Sequence, residues 1–238
     1  GKDALLTQAG ATGNTAVGLA ACDAITTGSN NTLMGINAGG ALTTGASNVC
    51  VGATSGDALT TGADNVAVGL DALGAETTGV NNVAVGKGAL LVQAGATGNV
   101  AVGKSSGDAI TTGVNNVAVG LDALGAETTG TNNVAIGKDA LLVQAGAVGN
   151  TAVGKSAMDA NTTGANNVAV GLDALGANTT GASNTAVGAN ASKASTTAVD
   201  LTAVGKDALL SVTTGDSNAA FGAYAGDALT TGANNTAL

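Results

Sequence analysis

The two glutamates of the 238-residue chain are the first candidates for chemistry, since two carboxyl groups can hydrolyse a glycosidic bond. Glu76 and Glu127 lie three 17-residue repeats apart. In a stack of strands this separation is about 14 Å, whereas a glycosidase pair needs about 5 to 9.5 Å. The chain has no histidine, so no imidazole base accompanies its serines or cysteines. We therefore predict that the chain is not an enzyme and has neither catalytic residues nor a cofactor.

Aspartates recur at two places in the repeat, and a row of carboxylates is one way to bind calcium. The first set is Asp71, Asp122, Asp139, Asp173 and Asp207, and the second is Asp23, Asp57, Asp108, Asp159 and Asp227. Calcium-binding β-rolls repeat Gly-Gly-x-Gly-x-Asp, which this sequence lacks, and calcium needs several oxygens that converge on one point. We interpret the aspartates as a solvated acidic face and predict no metal site.

The composition also excludes several partners. Seven basic and 16 acidic residues give a net charge of −9, which does not suit nucleic-acid binding. No run of about 18 apolar residues is present, and no basic segment precedes an apolar one, so we predict neither membrane insertion nor a signal peptide. Cys22 and Cys50 replace the usual leucine and alanine of the repeat at different positions, and we expect no disulfide between them.

A strict repeat organises the whole sequence. Glycine recurs every 17 residues from Gly1 to Gly222, and 14 repeats use all 238 residues without an insertion or deletion. Counted from this glycine, position 14 is asparagine in all repeats except the one that carries Leu201, and position 16 is nearly always alanine. Position 17 is always apolar. A fixed period of this kind predicts a solenoid, in which each repeat buries its apolar face against its neighbours.

Alternation within the repeat indicates strands. In the segment from Asn116 to Gly120, valine alternates with alanine, a period of two. We predict an all-β parallel β-solenoid, or β-roll, of 14 coils that runs over residues 1–238 as one continuous domain. A second short strand is expected at positions 4 to 8 and a turn at positions 9 to 14. Helix is the alternative for segments such as Lys138–Ala145, because alanine, leucine and glutamine favour helices.

Stacking of equal coils places identical residues above one another. Stacked asparagines can then bond amide to amide and satisfy the donors of the turn, while glycine ends the strand where no side chain is tolerated. The predicted structural ladder comprises Asn82, Asn99, Asn116, Asn133, Asn150 and Asn167 together with Gly86, Gly103, Gly120, Gly137 and Gly154.

The repeat also resembles those of known fibrous proteins. The unit from Gly222 to Leu238, GAYAGDALTTGANNTAL, resembles the repeats of long phage tail-fibre and bacterial surface proteins, and all 14 units share this likeness. The segment Asn-x-Val-Ala-Val-Gly is similar to the head repeats of YadA-like trimeric autotransporter adhesins, which are left-handed parallel β-rolls. The resemblance implies a left-handed trimer located outside the cell, on a cell surface or in a virion tail fibre, with a cell-surface receptor or glycan as partner.

We therefore expect a structural or adhesive segment, either a rigid spacer or a receptor-facing head, in the form of a rod about 67 Å long. Alanine at positions 4, 7 and 16 predicts a smooth apolar strip that another copy covers, and the resemblance to trimeric adhesins and tail fibres implies three copies around an axis. A lone solenoid that buries these alanines internally, or a subunit that stacks end to end into a filament, is the alternative.

Threonine pairs give a weaker alternative function. Eleven repeats carry Thr-Thr at positions 9 and 10, a pattern that some ice-binding β-solenoids use. Adjacent strand residues point to opposite sides, so only one threonine per coil can face a flat surface. Three repeats replace the pair by Ala-Gly, which interrupts the row.

Overall fold

The computed structural model describes all 238 residues and contains two compact units, Gly1–Ala118 and Val119–Leu238. Both are parallel β-solenoids with one strand in every 17-residue coil and no helix, which confirms the predicted fold class. The coils are numbered 1 to 14 from Gly1. The strands are β1 (Thr15–Val17), β2 (Thr32–Met34), β3 (Val49–Val51), β4 (Val66–Val68), β5 (Val83–Val85), β6 (Val100–Val102), β7 (Val117–Val119), β8 (Val134–Ile136), β9 (Thr151–Val153), β10 (Val168–Val170), β11 (Thr185–Val187), β12 (Thr202–Val204), β13 (Ala219–Phe221) and β14 (Thr236–Ala237).

Strands pair in the register of the repeat. Within the first unit β1 to β6 pair in sequence, and within the second β8 to β14 do the same, always parallel. Val66 pairs with Val83 and Ala67 with Ala84, so equivalent positions lie directly above one another. Because the chain has no helix, it has none that could cross a membrane.

Most strands turn their central residue, usually alanine, inward and the two flanking residues, usually β-branched, outward. Ala67 is completely buried, whereas Val66 and Val68 on either side of it are partly exposed. The alanines of position 4, such as Ala72, are also buried. The expected alanine strip on the surface was therefore wrong for positions 4 and 16, because a 17-residue coil is wide enough to enclose these side chains.

The second strand predicted at positions 4 to 8 does not form. Positions 3 and 5 adopt left-handed backbone conformations in all coils, as in Asp71 (φ 55°) and Leu73 (φ 56°). Extended strands require negative φ, so the chain makes consecutive turns here. The helical alternative fails for the same reason, since Asp139 and Leu141 both have positive φ.

Glycine at position 1 is required by the close approach of successive coils. A Cβ on Gly137 would lie 2.5 Å from the carbonyl oxygen of Gly154, at a φ of +135°. A Cβ on Gly120 would lie at the same distance from the carbonyl oxygen of Gly137. A Cβ on Gly86 would collide with the carbonyl oxygen of Gly103, and one on Gly154 with that of Gly171. This backbone contact explains the glycine at the start of these coils, each of which is followed by another coil.

Candidate functional site

The asparagines of position 14 form the predicted column inside each unit. Asn82 donates its backbone N–H to Asn65 Oδ1 (2.9 Å) and its side-chain Nδ2 to the carbonyl of Ala96 in the next coil (2.9 Å). Asn82 Oδ1 in turn accepts the backbone N–H of Asn99 (2.9 Å). The same bonds join Asn116 to Asn99 Oδ1, Asn133 Nδ2 to Ala147 O, Asn150 N to Asn133 Oδ1, and Asn167 N to Asn150 Oδ1.

The ladder contains the expected amide-to-amide bonds, for example from Asn48 Nδ2 to Asn31 Oδ1 (3.1 Å), and it also bonds the main chain. The side-chain oxygen mainly accepts a backbone N–H, and the side-chain nitrogen mainly donates to a backbone carbonyl of the following coil. Side-chain contacts such as that of Asn31 Nδ2 with Asn14 Oδ1 (3.0 Å) are additional. Each asparagine therefore saturates the buried main chain of a turn, which leucine at this position cannot do.

A second buried polar column lies at position 8, which the sequence analysis did not identify. In coils 2 to 4 this position holds Ile25, Leu42 and Leu59, all fully buried. In coil 5 it holds Glu76, which is also completely buried. A buried carboxylate is costly unless it is hydrogen-bonded, so its partners determine whether it is a structural or a reactive group.

Glu76 is fully occupied by the chain itself. Its Oε1 accepts the backbone N–H groups of Thr77 (2.8 Å), Thr78 (2.9 Å) and Gly79 (2.6 Å), and its Oε2 accepts Gln93 Nε2 (2.9 Å). A fourth backbone donor, the N–H of Gly95 in coil 6, also reaches Oε1 (2.8 Å). The carboxylate is thus held as a structural anion in a cradle of N–H groups.

The cradle replaces a backbone acceptor that ordinary coils possess. In coil 2, the N–H groups of positions 9 to 11 (Thr26, Thr27, Gly28) all point to the carbonyl oxygen of Thr43 in the next coil. In coil 5 the glutamate oxygen takes over this role, and coil 6 has Ala-Gly in place of Thr-Thr. The substitution of Gly95 for threonine allows a left-handed backbone (φ 77°) that turns its N–H toward the glutamate.

Glu127 repeats this arrangement in the second unit, where the column continues further. Gln144 Nε2 donates to Glu127 Oε2 (2.8 Å), and Gly146 N donates to Oε1 (2.9 Å). Asn161 Nδ2 donates to Gln144 Oε1 (3.2 Å), and Asn178 Nδ2 donates to Asn161 Oδ1 (3.0 Å). Four successive coils are thereby linked through buried amides and one carboxylate.

The column ends at a poorly satisfied place around coil 12. Asn178 Oδ1, Ser192 Oγ and Ser195 Oγ are buried side-chain atoms without a hydrogen-bond partner. The same coil carries Leu201 in place of the ladder asparagine, although the Leu201 N–H still donates to Asn184 Oδ1. Buried side-chain atoms without a partner are thus found where Asn178 of coil 11 meets Ser192 and Ser195 of coil 12.

Two aspartates of position 6, Asp57 and Asp159, interact electrostatically with the position-3 aspartates of the next coil, Asp71 and Asp173. Burial raises the pKa of the Asp57 carboxyl, and the charge of Asp71 raises it further. The pKa of Asp159 is raised in the same way, by burial and then by Asp173, whose carboxylate bonds Lys193 Nζ at 2.9 Å. A cleft of about 410 Å³ adjoins the second pair, lined by Asp159, Ala160, Asp173, Gly176, Ala177 and Lys193. No group of three or more histidine, cysteine or acidic side chains is arranged to hold a metal ion.

The two threonines of positions 9 and 10 have different roles. The position-9 hydroxyl donates to the position-9 carbonyl of the next coil, as Thr43 Oγ1 does to Thr60 O (3.0 Å). The position-10 threonines are exposed, for example Thr44 and Thr61, but Gly95 interrupts their row in the first unit. Both threonines are exposed in some coils, as Thr77 and Thr78 are, and because these positions lie in bends rather than in a strand, strand alternation does not determine their exposure.

Both cysteines are buried free thiols. Burial raises the pKa of Cys22 and of Cys50 to about 12, with smaller contributions from Asp23 and from Cys22 and Asp57, respectively. Their thiols are therefore protonated and shielded in the folded chain.

Apolar side chains of positions 17 and 2 are the main exposed hydrophobic surface, here named the outer stripe. They lie on the outside of the sheet and just after it, and the exposed fractions of the ten members named below run from 37 to 54 %. The members are Val17, Leu19, Met34, Ile36, Leu70 and Val102 in the first unit and Ile136, Leu172, Val187 and Phe221 in the second.

Comparison of the chain with models of protein families, with curated protein sequences and with solved structures found no match.

Proposed function

We propose that the chain is a structural segment of an extended fibre outside the cell, at a cell surface or in a virion tail, where it acts as a rigid spacer or receptor-facing head. The observation that carries the proposal is the direction of the hydrogen bonds. The strands, the asparagine column and the position-9 threonines all bond to the neighbouring coil, so within each unit the bonding runs along the stack of coils. Such bonding resists extension and bending, which is what a spacer needs.

The carboxylates support a structural role over catalysis. Both oxygens of Glu76 and of Glu127 accept hydrogen bonds from the chain, and both side chains are completely buried. A receptor or glycan would therefore be bound by the exterior of the coils or by another part of a longer polypeptide.

The spacer proposal is tested by changing the number of coils. Coils 5 and 8 differ only at Val80/Thr131 and Val85/Ile136, so deletion of residues 69–119 joins coil 4 to a nearly identical partner. We expect the shortened chain to fold and its maximum dimension in small-angle scattering to fall by about 14 Å. An unchanged dimension would contradict a spacer whose length is set by its coils.

We further propose that three copies associate through the outer stripe. Since the alanines of positions 4 and 16 are enclosed within each coil, the outer stripe replaces them as the apolar surface that we propose a partner covers. A row of half-exposed valine, leucine and isoleucine is more than isolated apolar residues on a soluble monomer and marks an interaction face.

Light scattering at micromolar concentration tests this assembly. We expect a trimeric mass, reduced to the monomer by Leu70→Lys with Val102→Lys, because charge in an apolar interface must be desolvated. The control pair Thr44→Lys and Thr61→Lys lies on exposed threonines away from the stripe and should leave the mass unchanged. A monomeric wild-type chain with a cooperative melt would exclude the trimer, and a mass that grows with concentration would favour a filament subunit.

Ice binding is the second candidate, favoured only by the exposed position-10 threonines. Thermal hysteresis of the wild-type chain, lost in the Thr44→Lys and Thr61→Lys variant, would support it.

A further inference from the structure

The first coil carries the sequence pattern of a coil that binds a glutamate. Coils 6 and 9 both contain Gln-Ala-Gly-Ala-x-Gly at positions 8 to 13, and both follow a coil with glutamate at position 8. Coil 1 contains the same pattern from Gln8 to Gly13. No other coil has glycine at position 10 or at position 13.

The backbone of coil 1 already has the geometry of the other two. Gly10 and Gly13 have φ values of 99° and 69°. The corresponding values are 77° and 71° in coil 6 (Gly95, Gly98) and 80° and 71° in coil 9 (Gly146, Gly149). Coil 1 is therefore folded as a glutamate-accepting coil, although Gln8 is exposed and no atom lies within 4 Å of a Cβ built on Gly10.

We propose that the face of coil 1 turned away from coil 2 is a docking surface for a solenoid coil that carries glutamate at position 8 and is joined directly to Gly1. In both internal examples the glutamine Nε2 donates to Oε2 of the glutamate (2.9 and 2.8 Å). The position-10 glycine donates to Oε1 (2.8 and 2.9 Å). Gln8 Nε2 and the Gly10 N–H are the equivalent donors of coil 1, and the inference does not depend on the proposed function.

A second copy of the chain does not supply this partner. Its last coil has Leu229 at position 8, which offers no acceptor, and its own glutamates lie in internal coils. End-to-end stacking on coil 1 would leave two donors without partners, and each buried unsatisfied group is unfavourable. The fitting occupant is a coil of the type Gly69–Val85.

A fusion experiment tests the specificity. In one fusion a copy of Gly69–Val85 is placed before Gly1, and in the other a copy of Gly52–Val68, which has Leu59 at position 8. We expect the Gly10 amide to exchange its hydrogen about tenfold more slowly, or slower still, in the first fusion than in the second. A hydrogen bond to an ionised acceptor is stronger than a neutral one, and the leucine coil offers none. The side-chain amide resonances of Gln8 should shift only in the first fusion.

The matched control changes the accepting face of coil 1 as well as the fused coil. When residues 8–13 are replaced by the sequence of residues 59–64, the leucine coil should stabilise the chain more than the glutamate coil, as judged by the urea midpoint. Equal protection of Gly10 in the two original fusions would overturn the proposal. A preference for the glutamate coil that survives replacement of residues 8–13 would also overturn it, since it would then not depend on Gln8 and Gly10.

Discussion

The glycine that starts each coil is set by contact between main chains, and this makes its role measurable at a single residue. Gly137 and Gly222 have nearly the same φ, +135° and +133°, but a Cβ on Gly137 would lie 2.5 Å from Gly154 O, whereas the nearest atom to one on Gly222 is 3.8 Å away. We expect Gly137→Ala to lower the free energy of unfolding by roughly 1–3 kcal/mol more than Gly222→Ala, the usual range for overpacking. The difference in the free energy of unfolding is measured from the midpoints of urea unfolding, provided that the slope of the free energy against urea concentration is the same in both variants. Equal losses would assign the effect to backbone strain alone.

The asparagine column gives a second prediction for single residues. Asn82→Leu would leave the Asn99 N–H without its acceptor, at about 1–3 kcal/mol for a buried group left unsatisfied, and would remove one of the two side-chain donors to the Ala96 carbonyl, the other being Gln93 Nε2. We expect a clear fall of the urea midpoint. The reverse change, Leu201→Asn, restores the column and should raise it. The structural ladder would be refuted by an Asn82→Leu chain as stable as the parent.

The paired aspartates predict a pH dependence. The pKa of Asp57 is higher in the folded chain than its ordinary value, so the folded state binds the proton more tightly and its stability falls as the pH rises through this range. Asp57→Asn should therefore raise the melting temperature at pH 7, by no more than roughly 2–4 °C, and the gain should vanish near pH 3. The control is Asp64→Asn, at an exposed carboxyl. A gain that is equal at both pH values would contradict the assigned cause.

At the scale of elements, the glutamate and glutamine coils act as pairs. Glu76→Leu removes the acceptor of four backbone N–H groups and of Gln93, and we expect a loss of more than about 3 kcal/mol. Replacement of residues 93–98 by the sequence of residues 59–64 in the same chain should recover most of it, because coils 5 and 6 then bond as coils 3 and 4 do. Urea unfolding of the two variants measures this coupling. If the replacement of residues 93–98 lowers the free energy of unfolding further, the sequences of coils 5 and 6 are not explained by their pairing.

The sequence predicts an element correctly where the pattern of neighbouring residues or the 17-residue period determines it. The strands follow from the alternation around Ala118, and the glycine and asparagine columns follow from the strict period. The second strand was predicted wrongly because leucine at position 5, as in Leu73, gives no sign of a left-handed backbone. The Glu76–Gln93 pair was missed although a signal existed, since both glutamates are followed 17 residues later by Gln-Ala-Gly. Its meaning required knowing that position 8 points inward.

For the molecule as a whole, the two thiols report on the integrity of the first unit. Their pKa of about 12 leaves about a thousandfold less thiolate at pH 8 than an exposed cysteine has. We expect iodoacetamide to label neither Cys22 nor Cys50 in the folded chain and both in urea, with a labelling midpoint equal to that of the unfolding of Gly1–Ala118. Mass spectrometry of Cys22→Ala and Cys50→Ala separates the two sites. Rapid labelling in buffer would show that this unit opens readily.

The pairing of coils 5 with 6 and 8 with 9 also restricts how such a gene can change. A recombination event that inserts or removes a single repeat preserves the reading frame and the strand register, yet it can separate a glutamate from the glutamine and glycine that donate hydrogen bonds to it. Events that carry both members together leave no buried charge exposed to an apolar neighbour. Residues 69–102 and 120–153 are near copies that each carry both members of a pair, so we expect duplication of such a two-coil block to disturb the fold less than duplication of one of its coils alone.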